Sequence, residues 1–305
     1  MAILVTGASG FLGSRLVKRL VAEDQEVIAV ARQPVPAVLE SNPKIHWIVQ
    51  DIARDGLNLT EMQDIEAVVH LAGATLGASK DENYFLQANE LTTVRMLQAM
   101  ADRTDRFIIA SSQVVYGDVR HLGVTEDSPL QSDGSAYACS KVNSENWLRW
   151  FQKLHGGQYL ALRFCGFIDG GGIVDYLIDQ ALVGDPIELY AHGKVRRDYL
   201  PSEEGVDALI AALKYRGKPG FLPVNIGSGQ AVSAHELAML VCAELKSSSR
   251  IELRTNPSPQ GDFVFCIDRA RKLFDFQPSS LSDAVRLHVL QRQGNVPRQE
   301  SNAKN

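Results

Sequence analysis

The chain is poor in the features that mark several broad classes of protein. Only four cysteines occur in 305 residues, Cys139, Cys165, Cys242 and Cys266, and no two form a CxxC pair. That spacing argues against a disulfide framework or a zinc site and fits reduced thiols in a cytoplasmic protein, so no metal is expected. No apolar run approaches the roughly 18 residues of a membrane span. The first residues carry no basic stretch and pass at once into a strand-like run, so a signal peptide is not expected. The net charge is −5 with no long basic run, which argues against nucleic acid as a main partner. No internal repeat is visible.

What is present is a large apolar fraction, 45%, enough for one large α/β domain with or without a smaller cap. Strand-length apolar runs recur at Ile3–Val5, Val27–Ala31, Ile45–Val49, Ala67–Leu71, Phe107–Ala110 and Tyr159–Phe164. Helical patterns separate them over Phe11–Ala22, Asn83–Ala101, Ser135–Leu154 and Val174–Val183. Such alternation predicts a parallel sheet with helices on both faces. The texture changes after about Gly166. Helices are expected at Glu203–Lys214, Ala234–Lys246 and Ser282–Gln291, with short strands at Phe221–Ile226 and Ile251–Arg254. The boundaries expected are 1–166 for the first domain and 167–292 for a smaller substrate-binding region with elements returning to the main sheet. Residues 293–305 are polar and aperiodic and read as a disordered tail.

Two motifs carry chemistry. The first is Gly7-Ala8-Ser9-Gly10-Phe11-Leu12-Gly13, directly after a strand and opening a helix. Gly7 permits a tight turn, Gly10 lets backbone approach a pyrophosphate, and Gly13 lets helix pack on strand. The phosphates would then lie on the helix N-terminal amides. The spacing is GxxGxxG, whereas the common fingerprint is GxGxxG. The second strand ends in Ala31-Arg32-Gln33, with no carboxylate to hold the ribose of NAD. Arg32 is either a partner for the 2′-phosphate of NADP, the preferred cofactor on this reading, or a solvated arginine. Asp51-Ile52 follows the third strand and can approach the adenine. His70-Leu71-Ala72-Gly73 ends the fourth, where small residues let a cofactor lie against the sheet. His70 itself reads as a packed or surface histidine.

The second motif is Tyr137-Ala138-Cys139-Ser140-Lys141, with Ser112 25 residues earlier. At i and i+4, Tyr137 and Lys141 share a helix face. A tyrosine of ordinary pKa near 10 is a poor base, and a neighbouring ammonium is expected to lower it. The lysine can also hold the nicotinamide ribose, and Ser112 can hydrogen-bond the reacting oxygen. With eight tyrosines in the chain the spacing alone is weak; its place after five strand-helix units strengthens it.

In this setting the chain resembles the extended short-chain dehydrogenase/reductase family, in its NAD(P)-dependent epimerase/dehydratase group acting on nucleotide sugars. Over residues 1 to 290 the resemblance rests on the two motifs above, His70-Leu71-Ala72-Gly73, Tyr84 with Asn89, Ser111-Ser112-Gln113-Val114-Val115-Tyr116-Gly117, Leu162-Arg163-Phe164, Arg197-Asp198-Tyr199 and Asn225-Ile226-Gly227-Ser228-Gly229. It implies a Rossmann-type doubly wound sheet with a smaller C-terminal α/β substrate-binding region. It implies Ser112, Tyr137 and Lys141 as catalytic residues. Its cofactor residues are Gly7, Gly10, Phe11, Leu12, Gly13, Arg32, Asp51, Ile52, Leu71, Ala72, Gly73, Asn89, Tyr137, Lys141 and Phe164, for NADP or NAD. Gln113 and Arg197 are its substrate-binding candidates.

Three departures narrow what the resemblance implies. Dehydratases of the group carry Asp-Glu after the serine or threonine, where this chain has Gln113-Val114. The family often has asparagine at the position of Gly166. An arginine often precedes Gly-Asp near the C-terminus, where this chain has Ser258-Pro259-Gln260 before Gly261-Asp262. Epimerisation of a nucleotide sugar through a keto intermediate is the leading expectation. An NADPH-dependent reductase of a 4-keto sugar nucleotide or other carbonyl compound is the alternative. A non-catalytic redox-sensing protein is disfavoured because Tyr137 and Lys141 are both intact. A homodimer is also expected. The family commonly pairs the helix after the fourth strand with the helix of Tyr137. In this chain Trp147, Leu148, Trp150, Phe151 and Leu154 give the latter more apolar surface than one core-facing stripe needs.

Overall fold

The apolar runs pair side by side, all parallel. A computed structural model describes residues 1–295 except 37–38, 40–41, 60–63, 77, 79–80, 118–120, 133 and 258–260. Seven strands form the main sheet: β1 (Ala2–Thr6), β2 (Val27–Ala31), β3 (Ile45–Val49), β4 (Ile65–His70), β5 (Arg106–Ser112), β6 (Gln158–Phe164) and β7 (Gly220–Ile226). Their order is β7-β6-β5-β4-β1-β2-β3. The register sets Thr6 beside Val30 on one side and His70 on the other, and Ser112 beside Phe164. Strand order reverses at β1, with β2 to one side and β4 to the other. The carboxyl ends of strands at such a reversal leave the crevice where ligands bind in this architecture.

Both faces of the sheet are covered. Helices α1 (Phe11–Ala22) and α5 (Ser202–Lys214) pack with one core, which includes Val5, Leu16, Leu162 and Leu209. Helices α2 (Thr92–Met100) and α3 (Ala136–His155) pack with the other, which includes Leu4, Val68, Met96 and Leu148. Strands buried on both faces explain why β2, β5 and β6 read as near-continuous apolar runs. A third core joins α4 (Ile173–Val183), α6 (Ala234–Leu245) and α7 (Leu281–Asn295). Short strands around 121–124, 196–197, 232–233 and 263–265 form a second, four-stranded sheet.

Local sequence explains the ends of the catalytic helix. The Ser135 side chain accepts a hydrogen bond from the Ala138 amide at 3.1 Å, and α3 stops at Gly156, which takes φ +73°. One expected helix differs. The pattern over Asn83–Ala101 predicts a single helix, but the chain forms a short turn at Glu82–Phe85, a π-helical turn at Leu86–Leu91 and then α2. The wider turn carries Asn89 inward, where it is 1% exposed. The disordered tail expected from residue 293 does not begin there. Helix α7 includes residues 293–295, and 296–305 lie outside the described residues. Among the described residues no helix is long and apolar enough to cross a membrane.

Candidate active site

The turn between β1 and α1 is built by close approach of backbone to backbone. A Cβ on Gly13 would lie 2.1 Å from the Gly7 carbonyl oxygen, so the helix reaches the strand only because that atom is missing. Gly7 takes φ +69°, and a Cβ there would come within 2.6 Å of the Ala72 amide nitrogen. Two segments distant in sequence, 7–13 and 71–74, therefore meet at the strand reversal. Gly10 caps α1 with no side-chain hydrogen bond, which leaves the first amides of the helix free for an anion.

A cleft of about 250 Å³ opens at this point. It gathers Gly7 and Gly10 from the first turn, Arg32 from the end of β2, Asp51 and Ile52 after β3, and Leu71, Ala72 and Gly73 after β4. All eight are residues the sequence singles out. Ser9, Gln50, Gln87, Ala88 and Thr92 also line it and were missed; the π-turn that brings the last three inward has no signal in the apolar pattern. Arg32 is exposed, and Ile52 is buried at the base of its turn. Asp51 uses its side chain to accept from the Arg54 amide at 3.2 Å. Phe11, Leu12, Gly13, Asn89, Tyr137, Lys141 and Phe164 are not on the cleft wall. Phe11 lies edge-on to Phe167 at 5.5 Å, Leu12 packs on the core, and Phe164 is buried against Phe167 at 5.6 Å. Asn89 spends its side chain on the protein. Its Oδ1 accepts from the Ala74 amide at 2.6 Å, and its Nδ2 donates to Ser140 Oγ at 2.9 Å.

The three expected catalytic residues converge. Ser112 ends β5 beside Tyr137, where its hydroxyl favours the phenolate, and its oxygen accepts from the Val114 amide at 3.4 Å. Lys141 lies one turn further along α3, its Nζ 6.0 Å from the centre of the Tyr137 ring, and donates to the Ala110 carbonyl at 3.0 Å. Burial pushes the Lys141 ammonium down to about 8, against the pull of the Glu145 carboxylate. The expectation for Tyr137 needs correction. Burial raises its pKa above the ordinary value, and only the Ser112 hydroxyl works the other way. The reason is dielectric: a phenol enclosed by Phe85, Tyr84 and Ala74 favours its neutral form.

A buried ion pair underlies these residues. Glu145 is fully buried, one turn beyond Lys141, and binds Arg163 at 2.6 and 2.9 Å while accepting from Ser111 Oγ at 2.5 Å. Arg163 also donates to the Tyr116 hydroxyl at 2.7 Å. No sequence signal beyond an arginine inside an apolar strand announces this pair.

The substrate candidates are more loosely placed. Gln113 follows Ser112, and its Oε1 is buried without a hydrogen-bond partner among the described residues. Arg197 donates to the Gly261 carbonyl at 3.0 Å and lies 5.2 Å over the Phe263 ring. At Gly166 the Tyr199 ring sits where a side chain would start, 3.1 Å from the Cβ position. Gly261-Asp262 is engaged by Arg196, whose Nη2 is 2.6 Å from Asp262, and Ser258-Pro259-Gln260 lie outside the described residues. The four cysteines are free, and no cluster of His, Cys, Asp or Glu suited to a metal occurs among the described residues.

This geometry has clear relatives. The profile of the NAD-dependent epimerase/dehydratase family matches residues 3–227. The chain belongs to that family. A putative UDP-glucose 4-epimerase of Methanocaldococcus jannaschii is 28% identical over 255 residues, covering 80% of this chain and 82% of its own. A dTDP-glucose 4,6-dehydratase of Haemophilus influenzae is 26% identical over 276 residues, covering 81% and 80%. Among solved structures, the UDP-glucuronic acid 4-epimerase of Bacillus cereus, in complex with UDP-glucuronic acid and NAD, is 25% identical. It superposes with a TM-score of 0.81 over 96% of this chain and 100% of its own.

His70, which the sequence reads as a packed or surface histidine, is 3% exposed at the end of β4. Burial, aided by the Lys141 charge, pushes its pKa down from 6.5 to about 3. Between those values the unfolded chain takes up a proton that the folded chain refuses. Stability present above pH 6.5 is therefore lost as pH falls toward 3, by about 1.4 kcal/mol per pH unit from this group. His70→Asn is expected to flatten the slope by that amount. Urea unfolding at successive pH values between 7 and 4 measures it, and parallel slopes for both proteins would refute the assignment.

Proposed function

We propose that the protein is an NAD(P)-dependent epimerase of a nucleotide-activated sugar. The observation that carries this reading is the convergence of Ser112, Tyr137 and Lys141 beside a cleft formed by the glycine turn. The cleft suits a dinucleotide. Its turn holds glycines where a Cβ would collide with backbone, and the α1 amides are uncapped. The relatives named as 4-epimerases, one of them solved with NAD, support the same choice. Gln113-Val114 in place of an acidic pair disfavours dehydration.

A nicotinamide cofactor bound there would supply the hydride acceptor and donor that inversion at the sugar carbon needs. The chain moves the proton. As the phenolate, which the Lys141 ammonium and the positive charge of a bound oxidised cofactor would favour against the effect of burial, Tyr137 would accept it from the sugar hydroxyl and give it back, and Ser112 would orient the sugar oxygen. Lys141 uses one donor on Ala110 and keeps two for the cofactor ribose. Leu71, Ala72 and Gly73 would form the wall beside the cofactor. Gln113, with its unpartnered carbonyl, and Arg197 are the substrate contacts on this reading. Tyr137→Phe should lower turnover by about a hundredfold or more while leaving cofactor affinity within about threefold. Interconversion of a UDP-sugar panel followed by NMR checks this; activity close to wild type would refute the acid/base role.

Arg32 favours NADP over NAD, and through NADPH it also favours the second reading, net reduction of a keto sugar nucleotide. It lies on the cleft wall at the end of β2, where a guanidinium can grip a 2′-phosphate with two hydrogen bonds. Arg32→Ala should weaken NADPH binding by about tenfold and leave NADH nearly unchanged. Titration of both cofactors into both proteins decides; equal losses would defeat the NADP preference. Stoichiometric consumption of NADPH with substrate would mark the reductase.

A second copy of the chain is the partner that α3 suits. Leu148 and Phe151 face the core, but Trp150 and Leu154 remain 49% and 58% exposed on the same helix. Pairing would cover them. Light scattering at micromolar concentration should give the mass of a dimer, and a monomer mass would remove this proposal.

A further inference from the structure

We propose that His70 is a positioning residue that locks the cofactor-facing segment Leu71–Ala74 through a closed ring of hydrogen bonds. This rests on the reading of the cleft as a nicotinamide dinucleotide site.

The ring is complete atom by atom. His70 Nδ1 lies 2.6 Å from Thr6 Oγ1, and Nε2 lies 3.2 Å from Thr93 Oγ1. The Thr93 hydroxyl donates to the Asn89 carbonyl at 2.7 Å, so its oxygen is left to accept. Nε2 must then carry the imidazole proton and Nδ1 must accept from Thr6. The Thr6 oxygen has a lone pair left, and the Ala72 amide fills it at 3.2 Å. On the far side, Asn89 Oδ1 takes the Ala74 amide at 2.6 Å. The circuit therefore leaves the segment at Ala72, passes through Thr6, His70, Thr93 and Asn89, and returns at Ala74.

Each link spans different elements. Thr6 ends β1, His70 ends β4, Asn89 sits in the π-turn and Thr93 is the second residue of α2. Asn89 extends the circuit to α3 through Ser140, whose hydroxyl donates to the Tyr137 carbonyl at 2.8 Å. All four side chains are nearly inaccessible, 0% to 3% exposed. An apolar side chain could fill the His70 site without desolvating an imidazole. What the imidazole adds is direction, because it joins the Thr6 and Thr93 hydroxyls through two ring nitrogens of opposite role. Between the two anchored amides lies Gly73, where a Cβ would stand 2.7 Å from Asn89 Oδ1. Leu71, Ala72 and Gly73 all face the cleft. The ring thus fixes the wall that a cofactor must lie against before it binds.

Two measurements test this. Nitrogen-15 NMR of the histidine rings in the intact protein should show His70 as the neutral Nε2–H tautomer across neutral pH. An Nδ1–H tautomer, or an ordinary titration, would overturn the ring. Thr93→Val removes a link, and Thr93→Ser keeps the hydroxyl. Binding of NADPH and NADH is measured by fluorescence well below the melting temperature of each variant. Thr93→Val should bind about tenfold more weakly, and Thr93→Ser should recover to within about twofold. A lower melting temperature with unchanged affinity would reduce the ring to packing and overturn the proposal. Binding of neither cofactor by the wild type would instead remove the reading of the cleft, and this proposal with it.

Discussion

The ion pair between Glu145 and Arg163 is the constraint on which the site depends. Both side chains are buried, at 0% and 1% exposure, and they tie α3 to β6 beneath the catalytic residues. Loss of one partner from such a pair leaves an uncompensated charge and costs about 3–5 kcal/mol. Its neighbours in sequence show why the position matters. Glu145 stands one turn beyond Lys141, Ser111 precedes Ser112, and Arg163 precedes Phe164. One interaction therefore sets the relative placement of the catalytic helix, the end of β5 and the end of β6. The same carboxylate is the one charge that raises the Lys141 pKa against the effect of burial.

A second constraint is steric and lies at the cofactor end. Gly13 against Gly7, and Gly7 against Ala72, are contacts that no side chain would allow. They bring the β1 turn and the β4 turn together at the strand reversal. The hydrogen bonds of Thr6, His70, Thr93 and Asn89 then set the orientation of the second turn. Packing brings these backbones close, and directed polar contacts choose one arrangement among those that packing allows.

Much of this was legible from residue order. Strands buried on both faces appear as apolar runs, and glycine turns appear because few other residues tolerate their geometry. The convergence of Ser112, Tyr137 and Lys141 followed from a helical spacing and a strand end. Three points were not legible. The π-turn at Leu86–Leu91 shifts the helix face by a fraction of a turn, which an apolar pattern cannot register. Asn89 was expected to face the cofactor, and its side chain is instead consumed by Ala74 and Ser140. The Tyr137 phenol was expected to be lowered by Lys141, but the two effects that set it, burial and the Ser112 hydroxyl, belong to neighbours remote in sequence.

Sequence by itself determined the strand-helix alternation, the glycine turn and the Tyr137–Lys141 spacing, because each depends on residues within one or two turns of each other. Tertiary structure alone decided the protonation of those side chains and the partners of every buried polar group. Burial, and hydrogen bonds between residues 64, 51 or 18 positions apart, have no local trace in the chain. A histidine that reads as ordinary becomes the centre of a ring only when β1, β4 and α2 close around it, since a hydrogen bond depends on where two atoms meet and not on where their residues stand in the chain.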